Sequence, residues 1–425
     1  MATNPEYYDL QIMGKTPQYG VNVFNGGPGF STQSSKQFEV YQGDAIYVYI
    51  RKTLSCLIFK NTLFYNGNRK STNAPFQMSH ETGEVIDCVD INKQPAFDHP
   101  LRKNHTIQTN PSSNRKANEA GHVRGAVSQV WWKYGKCPKG TVPIRRVQNG
   151  TTRHVKRWAS RLKRLNLSEN ESDDDGGEHR YAIGFLSGGK YLGAQAYLNL
   201  WKPEVVDDEF SLAQIWVIAG PREELNTVEA GWMVNRQRSD SGLPELFVFY
   251  TGDGYKTGCY NTECRGFVQK SDQFALGAAL EEFSTYSGSQ YELLIALVKN
   301  PYTGSWWLQI EDMSIGYWEN DVFTHLNGYA DRIEFGGEVS RKQKGPIPTS
   351  TQMGSGHLPS EGFAKAAYFR SIKFFDDGLN IRDPENLMKA VDKAECYDVK
   401  REYDVTYEAH FYYGGPGLSA QCASY

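Results

Sequence analysis

The chain has 425 residues, 39% apolar and 22% charged, with a formal net charge of −3, so neither nucleic acid nor an anionic membrane is implied as a partner. Its length allows two or three folding units. No uncharged apolar run approaches the roughly 20 residues of a spanning helix, and no signal peptide is recognisable from Met1 to Tyr8.

In chain order, the segment opening at Tyr8 (YDLQIMGKTPQYGVNVFNGGPGFS) repeats the pattern of the one opening at Tyr397 (YDVKREYDVTYEAHFYYGGPGLS). Two copies at opposite ends do not make a solenoid. They read as the tail of one gene copy joined to the head of another, or as a duplicated strand, and residues 1–80 are set apart on that ground. Residues 81–150 form a smaller N-terminal unit. Residues 151–179 read as an exposed linker because the charge switches there. Nine Lys or Arg and no acid lie between Lys139 and Leu165, then six acids and no base between Glu169 and Glu178. Its dibasic steps, such as Lys156-Arg157, invite processing, although a plain connector has the same composition. Sequons at Asn104, Asn149, Asn166 and Asn170 are glycosylation candidates.

Residues 180–425 are steadily β. The runs from Tyr181, Tyr191, Ala213, Leu246, Tyr291, Trp306, Ile315, Arg332 and Ala366 are short, rich in aromatic or β-branched residues, and broken by Gly, Pro, Asn or Asp. Many short strands without βαβ alternation predict an all-β antiparallel sandwich of two stacked sheets, jelly-roll or concanavalin-like. Only Asn386–Ala394 reads as helical. Of seven cysteines, Cys259 and Cys264 enclose a turn that suits a local disulfide, and Cys396 and Cys422 are placed to close the C-terminal stretch. None is spaced like a metal site, so neither a metal nor an organic cofactor is expected.

From about Gly83 onward the chain resembles the neprosin family of plants. The segments from Asp87 (DCVDINKQPAFDHPLRKNHTIQ) and Cys137 (CPKGTVPIRR) resemble its activation peptide. NTVEAGW from Asn226, TGCYNTECRGFVQ from Thr257, FGGEV from Phe335, TQMGSGH from Thr351 and FYYGGPG from Phe411 follow in the order of its catalytic domain. The resemblance implies a secreted or vacuolar glutamic endopeptidase, made as a zymogen, that cuts after proline in acid. Its partners would be proline-containing substrates and its own activation peptide. Its catalytic glutamates would be Glu229 and Glu338.

Strand alternation adds a local reading. Val228, Ala230, Trp232 and Val234 share one face, and Glu229 lies on the other with Thr227 and Gly231. Ile333, Phe335 and Val339 share a face, and Glu338 lies opposite with Glu334 and Gly336. Two carboxyls sharing one proton can hydrolyse an amide without a metal, one activating water and one protonating the leaving nitrogen. Gln214 is either an oxyanion donor or a structural amide. For a proline pocket, Trp232, Trp306, Tyr317 and Trp318 are the aromatic candidates, although such residues more often serve as core. A carbohydrate- or cell-wall-binding sandwich and an inactive family member remain the rival readings.

Overall fold

The computed structural model describes residues 11–13, 20–22, 48–50, 53–55, 76–79, 83–98, 105–109, 127–146, 178–341 and 347–423. The four sequons, and nearly all of the expected linker, lie outside them. The chain divides into two units, 1–74 and 75–425. In the first, β1 (Gln11–Met13) pairs with β2 (Gly20–Asn22), and β3 (Val48–Ile50) with β4 (Thr53–Ser55), both antiparallel.

The second unit begins with β5 (Phe76–Ser79), β6 (Val85–Asp90) and β7 (Thr141–Arg145), a three-stranded antiparallel sheet. A disulfide between Cys88 and Cys137 ties β6 to the loop before β7. This pair was not expected from spacing, because 49 residues separate its members.

The remaining strands are β8 (Glu178–Tyr191), β9 (Gly193–Asn199), β10 (Phe210–Ala219), β11 (Asn226–Asn235), β12 (Glu245–Thr251), β13 (Cys259–Tyr260), β14 (Phe267–Gln269) and β15 (Glu292–Lys299). They continue with β16 (Trp306–Ile310), β17 (Met313–Trp318), β18 (Ala330–Arg341), β19 (Ala367–Phe375), β20 (Ile381–Arg382), β21 (Met388–Val391), β22 (Asp398–Asp404) and β23 (Glu408–Gly414). One sheet has seven strands in the order β13-β12-β11-β10-β18-β8-β21. The other runs β14-β17-β16-β15-β9-β19-β23-β22, with β20 on β19. Every pairing is antiparallel. The expected sandwich is present, and all nine apolar runs fall on strands.

The expected helix at Asn386–Ala394 is instead interrupted by β21, which pairs with β8. Helical propensity there is overridden by an edge strand of β8 that offers a ladder of unpaired backbone groups. Glu178, assigned to the linker, already begins β8. The disulfides Cys259–Cys264 and Cys396–Cys422 are formed as expected.

Period-two alternation explains the core. From the seven-stranded sheet, Ala213, Ile215, Val217, Val228, Ala230, Trp232, Val248, Ile333, Phe335 and Val339 point inward. They meet Ala196, Leu198, Ile295, Leu297, Leu308 and Phe369 of the other sheet. The three-stranded sheet packs outside this core. Met78, Ile86, Cys88, Trp131 and Cys137 bury against Ala275 and Ala278. Two glutamine amides stitch the join. Gln94 donates to the Gln269 carbonyl (2.8 Å) and accepts from its N–H (2.7 Å). Gln129 does the same at Ala275, at 2.8 Å each way.

Arg145, at the end of β7, lies 3.3 Å from Glu84 and 3.5 Å from Glu245, both carboxylates buried. Burial, countered by Arg145, raises the Glu245 carboxyl to about 7. Removing one partner of such a cluster leaves uncompensated buried charge, at roughly 3–5 kcal/mol. Arg145→Leu is therefore expected to lower the unfolding free energy by about 3 kcal/mol at pH 8. The loss should be smaller at pH 5, where Glu245 holds a proton. Urea midpoints at the two pH values check this.

Candidate active site

The outer face of the seven-stranded sheet carries the residues that face away from the inter-sheet core. Strand β10 is central, pairing with β11 on one side and β18 on the other. Three successive outward rows cross these strands. In the first, Trp216 lies opposite Glu229 and Glu334. In the second, Gln214 lies between Gly231 and Gly336. In the third, Leu212 lies opposite Met233 and Glu338. Glu229 and Glu338, 109 residues apart in sequence, thus occupy one face diagonally across β10, with Gln214 between them. The face assigned to each from alternation is the face observed.

The two glycines that flank Gln214 are required by the packing of the strands. A Cβ on Gly231 would lie 1.9 Å from the Ala213 carbonyl oxygen and 2.6 Å from the Gln214 Cα. Gly336, at φ +152°, would place one 2.3 Å from the Ala182 carbonyl oxygen.

Around the pair the face is apolar. Trp216, Phe247, Phe249, Tyr255, Leu212, Met233, Phe210, Tyr181 and Ile183 form a second cluster, separate from the inter-sheet core. Glu229 is 5% and Glu338 7% exposed.

The two carboxyls are held differently. Glu229 Oε1 accepts from Thr227 Oγ1 at 2.7 Å and from the Tyr255 hydroxyl at 2.5 Å. Its Oε2 accepts from Gln214 Nε2 at 2.9 Å. All three donors are neutral. Burial raises this carboxyl to about 7. The Glu338 charge adds to the rise, and the three hydrogen bonds oppose it. Burial and the neighbouring Glu229 charge also push the Tyr255 hydroxyl well above its ordinary value, so it remains a donor.

Tyr255 is presented by a tight loop. Its own N–H donates to Thr251 Oγ1 (3.1 Å), and Asp253 accepts from the Thr257 N–H (2.8 Å) and hydroxyl (2.6 Å). The loop holds Tyr255 at φ +61°, a left-handed conformation that a non-glycine residue adopts only when its surroundings determine it. Its ring stacks on Phe249 at 5.9 Å.

Glu338 has an ionisable partner instead. Its Oε1 meets His179 Nδ1 in a short contact and accepts from the Tyr181 hydroxyl at 3.2 Å. The family resemblance named the two acids, alternation in NTVEAGW and FGGEV set the face each lies on, and Thr227 was placed beside Glu229. Tyr255 and His179 were missed. Tyr255 belongs to a loop, where alternation says nothing. His179 lies one residue before the boundary at 180, although its parity with Tyr181 and Ile183 was a usable signal.

The aromatic candidates need correction. Trp232, Trp306 and Trp318 are buried between the sheets. Tyr317 lies in a separate cluster with Ala96, Val268 and Trp307, where its hydroxyl meets His105 Nε2 at 2.8 Å. None faces the glutamates, because each has the parity of a core-facing or far-face position. The aromatics on the glutamates' face are Trp216, Phe247, Phe249 and Tyr255, with Tyr181 and Phe210. Among the described residues, no group of three or more His, Cys, Asp or Glu side chains is placed to hold a metal ion, and no helix is long and apolar enough to cross a membrane.

A two-sheet antiparallel sandwich with a buried carboxyl pair on its outer face, preceded by a small docked sheet, defines the class. The chain belongs to the neprosin family. The family's activation-peptide profile matches residues 77–185 and the neprosin profile residues 207–416. Among solved structures, Scytalido-glutamic peptidase with a peptide-based transition state analog is similar at 11% identity and a TM-score of 0.31, the overlap covering 56% of this chain and 99% of that one. SCP-B, a member of the Eqolisin family of peptidases in complex with the tripeptide Ala-Ile-His, is similar at 11% identity and a TM-score of 0.30, with the same coverage.

Burial of Glu229 has a consequence for stability. A carboxyl raised from 4.5 to about 7 on folding binds its proton more tightly in the folded state. Its contribution is complete below pH 4.5 and is lost as the pH rises through about 7, an overall change of about 3 kcal/mol. Glu229→Gln is expected to lose less stability than the parent between pH 4.5 and 8, by roughly that amount, in denaturation measured across the range.

Proposed function

We propose that this protein is a glutamic endopeptidase, made as a precursor with its activation peptide at residues 81–150, that hydrolyses peptide bonds after proline in acid. The observation that carries this reading is the unequal holding of two buried carboxyls on one face. Glu229 keeps its proton to about pH 7 because burial outweighs its neutral donors. A neighbouring carboxylate then has a protonated partner throughout the acid range. One carboxyl takes a proton from water as the oxygen attacks the scissile carbonyl carbon, and the other gives its proton to the leaving nitrogen. Both return to their starting states by exchange with solvent. Neutral pH ionises Glu229 and removes the donor, so the acid optimum follows from the same burial.

Gln214 serves the pair differently from a simple oxyanion donor. Its amide nitrogen is turned to Glu229, while its Oε1, buried, accepts no hydrogen bond among the described residues. That acceptor suits a substrate N–H or the attacking water. A pyrrolidine ring has no donor and asks only for apolar surface. Trp216, Phe249 and Tyr255 beside Glu229 offer it. The three disulfides require an oxidising compartment, which supports a secreted or vacuolar protein.

The full chain, incubated in acid, is expected to cut peptides with an internal proline into products that end in proline, with a rate that falls between pH 5 and 8. Glu229→Gln and Glu338→Gln should each lower kcat by about 10³-fold or more. Parent-like turnover in either variant would overturn the carboxyl pair, and release of reducing sugar from cell-wall polysaccharide in place of peptide cleavage would overturn the peptidase.

A further inference from the structure

His179 occupies the position beside Glu338 that a cation would take, whereas the hydrogen-bond donors to Glu229 among the described residues are neutral. Its Nδ1 meets Glu338 Oε1, and its Nε2 lies 3.2 Å from Ser340 Oγ. Both ring nitrogens therefore face an oxygen able to accept, so an imidazole carrying a proton on each is satisfied on both sides. The ring is also fixed in orientation. It lies near-parallel to Tyr181 (6.3 Å, 17°) and edge-on to Phe210 (5.9 Å, 68°). Strand register supplies the same placement, since His179 of β8 pairs with Ser340 and Tyr181 with Glu338.

We infer that His179 is a positioning residue that holds Glu338 as the ionised, water-activating member of the pair, leaving Glu229 as the proton donor. This rests on the peptidase reading above. Imidazole is the side chain that gains charge as the medium becomes mildly acidic. The groups facing the contact are Tyr181 on β8 and Glu334 on β18. Glu229 and Tyr260 face it electrostatically from the β11–β13 side. Asp392, in the loop after β21, accepts from the Tyr181 N–H at 2.8 Å. Glu334 is already paired with Arg332, and Arg238 lies over the Tyr260 ring, so of these groups His179 is the basic side chain in direct contact with the Glu338 carboxyl. In the reaction, the Glu338 carboxylate takes the proton from water while His179 keeps both of its own.

The test replaces His179 in the full chain with Asn, which keeps a donor near Nδ1 without the charge, and with Phe, which keeps only the stacking. The acid limb of the pH–rate profile is expected to move upward by about one pH unit or more in both. kcat should fall about tenfold or more, with KM little changed. Carbon-13 NMR of the Glu338 carboxyl, assigned with Glu338→Gln, should show it protonating at higher pH in both variants, and this readout does not depend on turnover. Ser340→Ala is expected to move the same limb in the same direction by less, and it supplies the test if the histidine variants do not fold. Folded variants with an unmoved limb and an unmoved carboxyl titration would overturn the role of His179. A parent inert on proline peptides would instead overturn the peptidase reading, and the NMR titration would still decide the contact between His179 and Glu338.

Discussion

A carboxyl group removed from water must either face a cation or keep its proton. This sandwich buries several, and how each is compensated distinguishes framework from site. Glu292 is clamped by the Arg370 guanidinium through both oxygens, with the Tyr368 hydroxyl added at 2.9 Å. Glu84 and Glu245 share Arg145 where the activation peptide meets the catalytic part. Glu263 faces Arg238, which also lies over the Tyr260 ring. Glu229 alone of these is surrounded by neutral donors, under a floor of aromatic residues. The same low-dielectric setting that penalises its charge is what makes it a proton donor over a useful pH range.

Much of this was legible in the sequence because antiparallel strands obey one simple rule. Alternation in NTVEAGW and FGGEV put each glutamate opposite its apolar neighbours, and the pairing of β10 with both β11 and β18 leaves that assignment unchanged. Alternation does not reveal which strands are neighbours. Nothing local to residues 226–235 or 330–341 says that one central strand joins them. That information lies in the crossover of the chain, after β11 to β17 have been laid down. The tryptophans named for a proline pocket lie in the core, the alternative reading given for them. Trp232 lies three residues from Glu229 and therefore on the opposite face, as the same alternation already required.

His179 shows a different limit. The acidic run that marks residues 169–178 as solvated continues without a break into β8, where Glu178 forms ion pairs with Arg180 and Arg341. Composition treats all these acids alike. Only the pairing of Glu178 with Arg341 in the ladder separates the strand from the linker. An element boundary drawn from charge alone therefore excluded His179, the histidine that touches the pair among the described residues.

The row through Gln214 explains why the site belongs on this face and at this place in it. Side chains in neighbouring rows of an antiparallel sheet normally cover the backbone between them, and a peptide laid across the sheet would meet side-chain atoms first. Here the positions on both sides of Gln214 are glycine, and each would bring a Cβ within 2.3 Å or less of a neighbouring carbonyl oxygen. The close approach of β10 to β11, and of β18 to β8, thus forbids a side chain at either position. The same two residues leave a bare strip of backbone between the rows that carry Glu229 and Glu338. Strand packing and substrate access are met by one choice of residue, and the only side chain left in the strip is an amide whose nitrogen already holds one acid of the pair.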